Sequence, residues 1–242
     1  MRRLLTLGSG LLLGLLVQVS GSAGASGTPS AGQVLSEGLT GAGQAQSMAF
    51  ADKTTAGKVT QLLVGTLSAP TAGEMLSGSG AQPLEVELVK GSVYVTGSSA
   101  ALQSALQISA SQAAAASGKW IVVQSGDSPF QSLTQQLTVS GEVDSFAPLR
   151  SSAQIGKRTK VHGVEVYPIF GRPSLALPKG SSASVALFVP VKAPYRPVGA
   201  TLVIASSSTK TKLHEVAAFT NWNKPVNLTA PTNTVAFSTL GG

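Results

Sequence analysis

Apolar and polar positions alternate most cleanly in Leu84-Glu85-Val86-Glu87-Leu88, where a period of two gives a strand one dry face and one wet face. Ser92-Val93-Tyr94-Val95-Thr96 repeats the pattern just after Lys90-Gly91, so the two segments form a hairpin. Looser interleaving between Ser47 and Ser68, through Met48, Phe50, Val59, Leu62, Val64 and Leu67, predicts two further strands that turn at Gly57. Lys119 to Val123 is another. Beyond Arg150, β-branched runs divided by Gly and Pro predict strands over 154–161, 164–170, 184–189, 198–204, 212–220 and 226–229. His162-Gly163 makes a tight turn there, because Gly accepts positive φ.

Helical spacing is confined to the front and the middle of the chain. Val34, Leu35 and Leu39 mark a short helix over 33–41. The Ala-rich segment from Ala100 to Ser117 carries Leu102, Leu106 and Ile108, is capped by Ser98 or Ser99 and stops at Gly118, which predicts a single longer helix. Phe130, Leu133 and Leu137, then Val143, Phe146 and Leu149, recur every three or four positions and predict helices over 129–137 and 142–149. Strands in series with short links give a mostly antiparallel sheet, and the helices between residues 98 and 149 must cover one of its faces. The fold class is α+β. No repeat of 20 to 50 residues is visible.

The first residues do not belong to this pattern. Arg2 and Arg3, an apolar run from Leu4 to Val17 and small residues after it have the three parts of a cleavable export signal, expected over 1–25 with cleavage near Ala23 or Ala25. Thr6, Gly8, Ser9 and Gly10 break the run, which is shorter than the ~20 apolar residues a membrane span needs. Residues 26–32 read as a flexible linker, 33–231 as one domain and 232–242 as a tail. A chain of this length buries roughly 70% of its unfolded surface, so the absence of cysteine is no obstacle to folding outside the cytoplasm.

Charge narrows the partners. Loss of 1–25 leaves 15 basic against 10 acidic residues, a net of +5, which favours an anionic membrane or wall surface. Nucleic acid is not expected, because the cations are scattered and no aromatic stripe accompanies them. Lys157, Arg158 and Lys160 form the dense basic cluster, either a solvated hairpin or a contact for a lipid headgroup or membrane.

Catalysis finds no foothold in the residue types. A Gly-x-Ser-x-Gly turn is absent, and of the two bases available His162 sits in a turn and His214 in an alternating strand. Glu85 and Glu87 share one strand face for the ordinary reason of alternation rather than as a hydrolytic pair. Two histidines without cysteine predict no transition-metal site, and no phosphate-cradling Gly-rich loop predicts a nucleotide cofactor. The chain is read as a non-enzyme without cofactors.

Several segments carry a likeness. Phe219-Thr220-Asn221-Trp222-Asn223-Lys224-Pro225-Val226-Asn227-Leu228-Thr229-Ala230-Pro231 resembles the closing pattern of the LppX/LprG-type lipoproteins of actinobacteria. Gly118-Lys119-Trp120-Ile121 and Thr159-Lys160-Val161-His162-Gly163-Val164 resemble smaller pieces of it in the same order. The resemblance implies a curved antiparallel half-barrel, similar to that of lipoprotein carriers, with helices on its concave face and an apolar cavity between for a lipid or glycolipid. On that basis Leu102, Leu106, Phe130, Leu133, Leu137, Val143 and Phe146 are expected to line the cavity, although the same stripe would serve plain packing in a filled structural or interaction module. The sequence departs from the family at Val19-Ser20-Gly21-Ser22, where Ser22 stands in place of the lipidation cysteine, so a secreted, unanchored monomer is expected.

Overall fold

The computed structural model describes residues 29–68, 72–77, 83–173, 177, 179–207, 210 and 212–240; the predicted signal and Ser22 lie outside them. The described part begins with helix α1, Ala31–Gly43, where the Gln33 N–H donates to the side chain of the N-cap Ser30. Strands β1, Ser47–Ala56, and β2, Val59–Ser68, turn at Gly57 with φ of +61°, as the interleaving predicts. β3, Ala72–Ser77, follows. Its sequence, Ala-Gly-Glu-Met-Leu-Ser, holds no β-branched or aromatic residue and so carries no strand signal. β4, Leu84–Val89, and β5, Ser92–Gly97, form the predicted hairpin, with Lys90 and Gly91 both at positive φ in the manner of a type I′ turn.

The Ala-rich segment is two helices rather than one. α2, Ser99–Leu106, ends at Gln107 in the left-handed conformation, and Ser109 starts α3, Ala110–Ala116, with a capping box closed by Gln112. The polar Ser109-x-x-Gln112 signature restarts the helix and outweighs the continuous run of helix formers around it. β6, Trp120–Val123, then leads to α4, Phe130–Gln136, and α5, Val139–Phe146, which runs into a 3₁₀ turn over Ala147–Ser151.

The remaining strands are β7, Gln154–Ile155; β8, Thr159–Val161; β9, Val164–Gly171; β10, Ser181–Pro190; β11, Gly199–Ser206; and β12, Lys212–Thr220. The stretch predicted as one strand over 154–161 is therefore split, and both pieces pair with β9. Residues 226–229 form no strand, because Pro225 and Pro231 bracket the run and remove backbone donors at both ends. Instead β13, Thr234–Ala236, lies parallel to β6, and a 3₁₀ turn over Phe237–Leu240 buries Phe237. These residues stand beyond the end drawn for the domain from sequence.

The thirteen described strands form one curved, unclosed sheet in the order β13-β6-β5-β4-β3-β2-β1-β12-β11-β10-β9-β7, with β8 paired to β9. Every pair but β13-β6 is antiparallel. Cross-strand register brings Met48, Phe50, Leu67, Met75, Val86, Val95 and Ile121 to one face on one side, and Phe219, Ala200, Leu187 and Ile169 to the same face on the other. Described helices cover that inner face: α2 and α4 pack on β5, and α1 on β9 and β10. Gly38 lets α1 come close, since a Cβ there would stand 2.8 Å from Val189 Cγ2.

Candidate functional site

The helical layer touches the sheet at its two ends and spans the middle. At one end the corner between α4 and α5 is pinned: Thr138 caps α5 and forms a bridge with Ser68 of β2, while Gly73 of β3 meets the backbone of Leu137 directly because it has no side chain. At the other end α5 packs on α1, which sits on β9 and β10. Between these supports α5 crosses above β1, β12 and β11, held off by Phe146, whose ring meets Phe219 of β12 edge to face at 6.2 Å.

Beneath this bridge lies a cavity of about 640 Å³. The sheet side of its wall is small or polar: Ala200 and Ala217 are opposite each other in register, Asp52 faces Ala217, and Glu215 is opposite Thr54. Asp52 and Glu215 are thus diagonal neighbours on the inner face of adjacent strands. The helix side contributes Leu133, Gln136, Phe146, Glu142 and Asp144. Glu142 stands in the first turn of α5, where the helix dipole favours a carboxylate. Four of the chain's 10 acidic residues therefore line this space, and no described Lys or Arg does, although the protein as a whole is basic.

The residues expected to line a cavity fall in different places. Leu133 and Phe146 border the cavity. Leu102, Leu106 and Leu137 are at most 2% exposed and pack into the solid apolar cluster with Val86, Val93, Val95 and Ile121, away from the void. Phe130 and Val143 are half-buried against that cluster and do not border the cavity. The polar wall is absent from the sequence reading, yet it leaves a signal. Asp52 falls in phase with the inward Met48 and Phe50, and Glu215 in phase with Leu213, Ala217 and Phe219, so each is a carboxylate at an apolar beat of its strand.

Lys157, Arg158 and Lys160 do not border the cavity. Arg158 donates from Nε to the Tyr167 hydroxyl at 2.8 Å with its guanidinium 5.0 Å from the ring centre, and Lys160 is opposite Glu165. His162 occupies the β8–β9 turn at positive φ and His214 lies on the outer face of β12, so neither histidine enters the cavity. On the outer face of β3 and β4, Glu74 is opposite Glu87, and the carboxylates of Glu74, Glu85 and Glu87 come within 4.8 Å of one another. Among the described residues this is the group whose spacing could hold a metal ion. Partial burial pushes Glu85 and Glu87 above the usual carboxylate range, and the neighbouring acids push them further.

The closing sequence pattern has a structural job. Asn221 and Asn223 take positive φ, Asn223 Oδ1 accepts from the Gln46 N–H at 2.8 Å, and the Asn223 N–H donates to the Ser47 carbonyl at 2.9 Å. Trp222 meets Phe219 edge to face and donates from Nε1 to the Pro197 carbonyl at 3.2 Å. The pattern thus ties the end of β12 to the start of β1, at the strand pair that floors the cavity.

No protein-family model matches the sequence, and no curated protein matches it. Among solved structures, the fold is similar to that of the lipoprotein LppX of Mycobacterium tuberculosis, with 14% identity over 82% of this chain and 98% of that one and a TM-score of 0.49. LprF of Mycobacterium bovis is similar at 13% identity over 85% and 99%, with a TM-score of 0.48. A LolA-superfamily protein of Nitrosomonas europaea is similar at 9% identity over 84% and 96%, with a TM-score of 0.32.

Proposed function

We propose that the chain is an extracytoplasmic protein of the cell envelope that binds and carries a lipid or glycolipid between α4, α5 and the inner face of β1, β11 and β12, without covalent chemistry. The observation that carries this reading is the cavity itself, whose volume of about 640 Å³ falls in the range of small-molecule sites. Its apolar patches, Leu133, Phe146, Val185 and Leu202, suit hydrocarbon. Burying one 16-carbon acyl chain gains about 12 kcal/mol gross against an association cost of about 4 to 15, so one chain is held reversibly, as a carrier requires.

The polar wall selects the other end of the ligand. Asp52, Glu142, Asp144 and Glu215 accept hydrogen bonds from hydroxyl groups and repel a phosphate, so a neutral sugar headgroup fits this site and an anionic phospholipid does not. Export rests on the basic-apolar-small pattern of the first 25 residues, and Ser22 in place of a cysteine favours a form without a lipid anchor. No described helix is long and apolar enough to cross a membrane. The test is native mass spectrometry of the chain purified from an envelope extract. An adduct of glycolipid mass that exchanges with added glycolipid supports the reading, and a chain that stays bare when offered such lipid rejects it.

A further inference from the structure

We propose that the end of the sheet formed by the β1–β2 and β11–β12 hairpins is a docking surface for an anionic lipid bilayer. Five large apolar side chains are exposed among the described residues, and three of them, Val59 at 70%, Leu62 at 42% and Val216 at 40%, lie at this end. Register sets Leu62, Lys53 and Val216 side by side across β2, β1 and β12 on the outer face. Thr55, His214 and Val203 form the next row on that face. Lys210, Lys212 and His214 border a shallow cleft of about 440 Å³ with Thr55, Gly57 and Val203, and Lys58 occupies the adjoining turn.

Strand alternation sorts the charges here. Asp52 and Glu215 lie on the inner face of the same two strands whose outer positions carry Lys53, Lys212 and His214. Among the described residues the main helix–strand contacts fall on β5, β7, β9 and β10, and the first four residues of β2 are open or half-open to solvent. Leu62 and Val216 on either side of Lys53, with Val59 beside Lys58 at the hairpin tip, have the composition of a membrane-interface surface: aliphatic groups enter the headgroup boundary while ammonium groups stay with the phosphates. A soluble polyanion would satisfy the lysines and leave Val59, Leu62 and Val216 in water, so the bilayer accounts for both features. This surface is separate from the cavity, and the inference does not depend on what the cavity holds.

The experiment is sedimentation of the full chain with vesicles of phosphatidylcholine alone or with about a third phosphatidylglycerol; because each variant carries the same residues 1–28, their contribution cancels. The chain is expected to favour the anionic vesicles and to lose binding as salt rises. Lys53→Gln with Lys58→Gln and Lys212→Gln should weaken it about 100-fold, at about fivefold per lysine. Leu62→Ser with Val216→Ser should weaken it about tenfold while the thermal transition stays in place. The control Lys157→Gln with Lys160→Gln should bind like the unaltered chain. Equal binding to both vesicle types overturns the inference, as does a triple lysine variant that binds normally or a control that loses binding. Insensitivity to the apolar pair combined with full competition by polyphosphate would assign the surface to a soluble polyanion instead.

Discussion

Two stretches of one inner face behave differently. Under α2 and the pinned α4–α5 corner, the sheet presents Val86, Leu88, Val93, Val95, Ile121 and Val123, all at most 1% exposed, and the helices answer with Leu102, Leu106 and Leu137. Under the span of α5 it presents Ala200, Ala217, Asp52 and Glu215, and the layers stand apart. Backbone pairing is continuous from one stretch to the other, so the sheet side differs in side-chain size and polarity rather than in strand pairing. A half-open sheet of this kind becomes a container where its inward residues are too small or too polar to reach the opposite layer, and a plain core where they are large and branched.

Substitutions test that contrast. The largest effect is expected at Leu102, which is fully buried on the filled side: Leu102→Ala should cost about 2–5 kcal/mol, read from denaturant unfolding. Enlargement should distinguish the two stretches. Ala113→Leu, at a fully buried position of α3, should cost about 1–3 kcal/mol, whereas Ala200→Leu, which points into the void, should cost less than about 1 kcal/mol in the same assay. Equal costs would mean that the middle is as tightly packed as the end.

Ser109→Ala should cost about 1 kcal/mol, because it removes the hydrogen bond that restarts the helix after Gln107. The outer acidic group gives the smallest shift. Glu85 and Glu87 are raised in the folded chain, so the native state holds more protons than the unfolded one at intermediate pH and stability falls as pH rises through that region. Glu87→Gln removes a like charge opposite Glu74 and should therefore stabilise the protein by about 0.5 kcal/mol at neutral pH, with the gain vanishing toward pH ~4. A gain that persists in acid would point away from charge as its cause.

Much of the fold is legible in the chain itself. Period-two alternation placed the β4–β5 hairpin and its turn at Lys90-Gly91, and the β-branched runs placed β9 to β12. What escaped did so for local reasons. A capping box at Ser109 cut an Ala-rich helix that propensity alone would continue, and two prolines emptied the run at 226–229. The short strand β13 carries little signal, since its three residues are ordered by pairing with β6 far away in sequence. The site was half legible. Helical spacing marks Leu102 and Leu133 alike, and only the opposite wall decides that one meets Val95 and its neighbours while the other borders a void. The readable clue was polar rather than apolar: Asp52 and Glu215 break the inward rhythm of β1 and β12.

The most direct test of the cavity as the binding site is a paired titration of the unaltered chain and Ala217→Trp with a single-chain glycolipid bearing a fluorescent acyl group. Filling the floor of the cavity should lower affinity at least about tenfold while the thermal transition holds, since the removed space is worth two or more buried methylenes. Binding of the same strength by both proteins, with the indole seated in the cavity, would contradict the account.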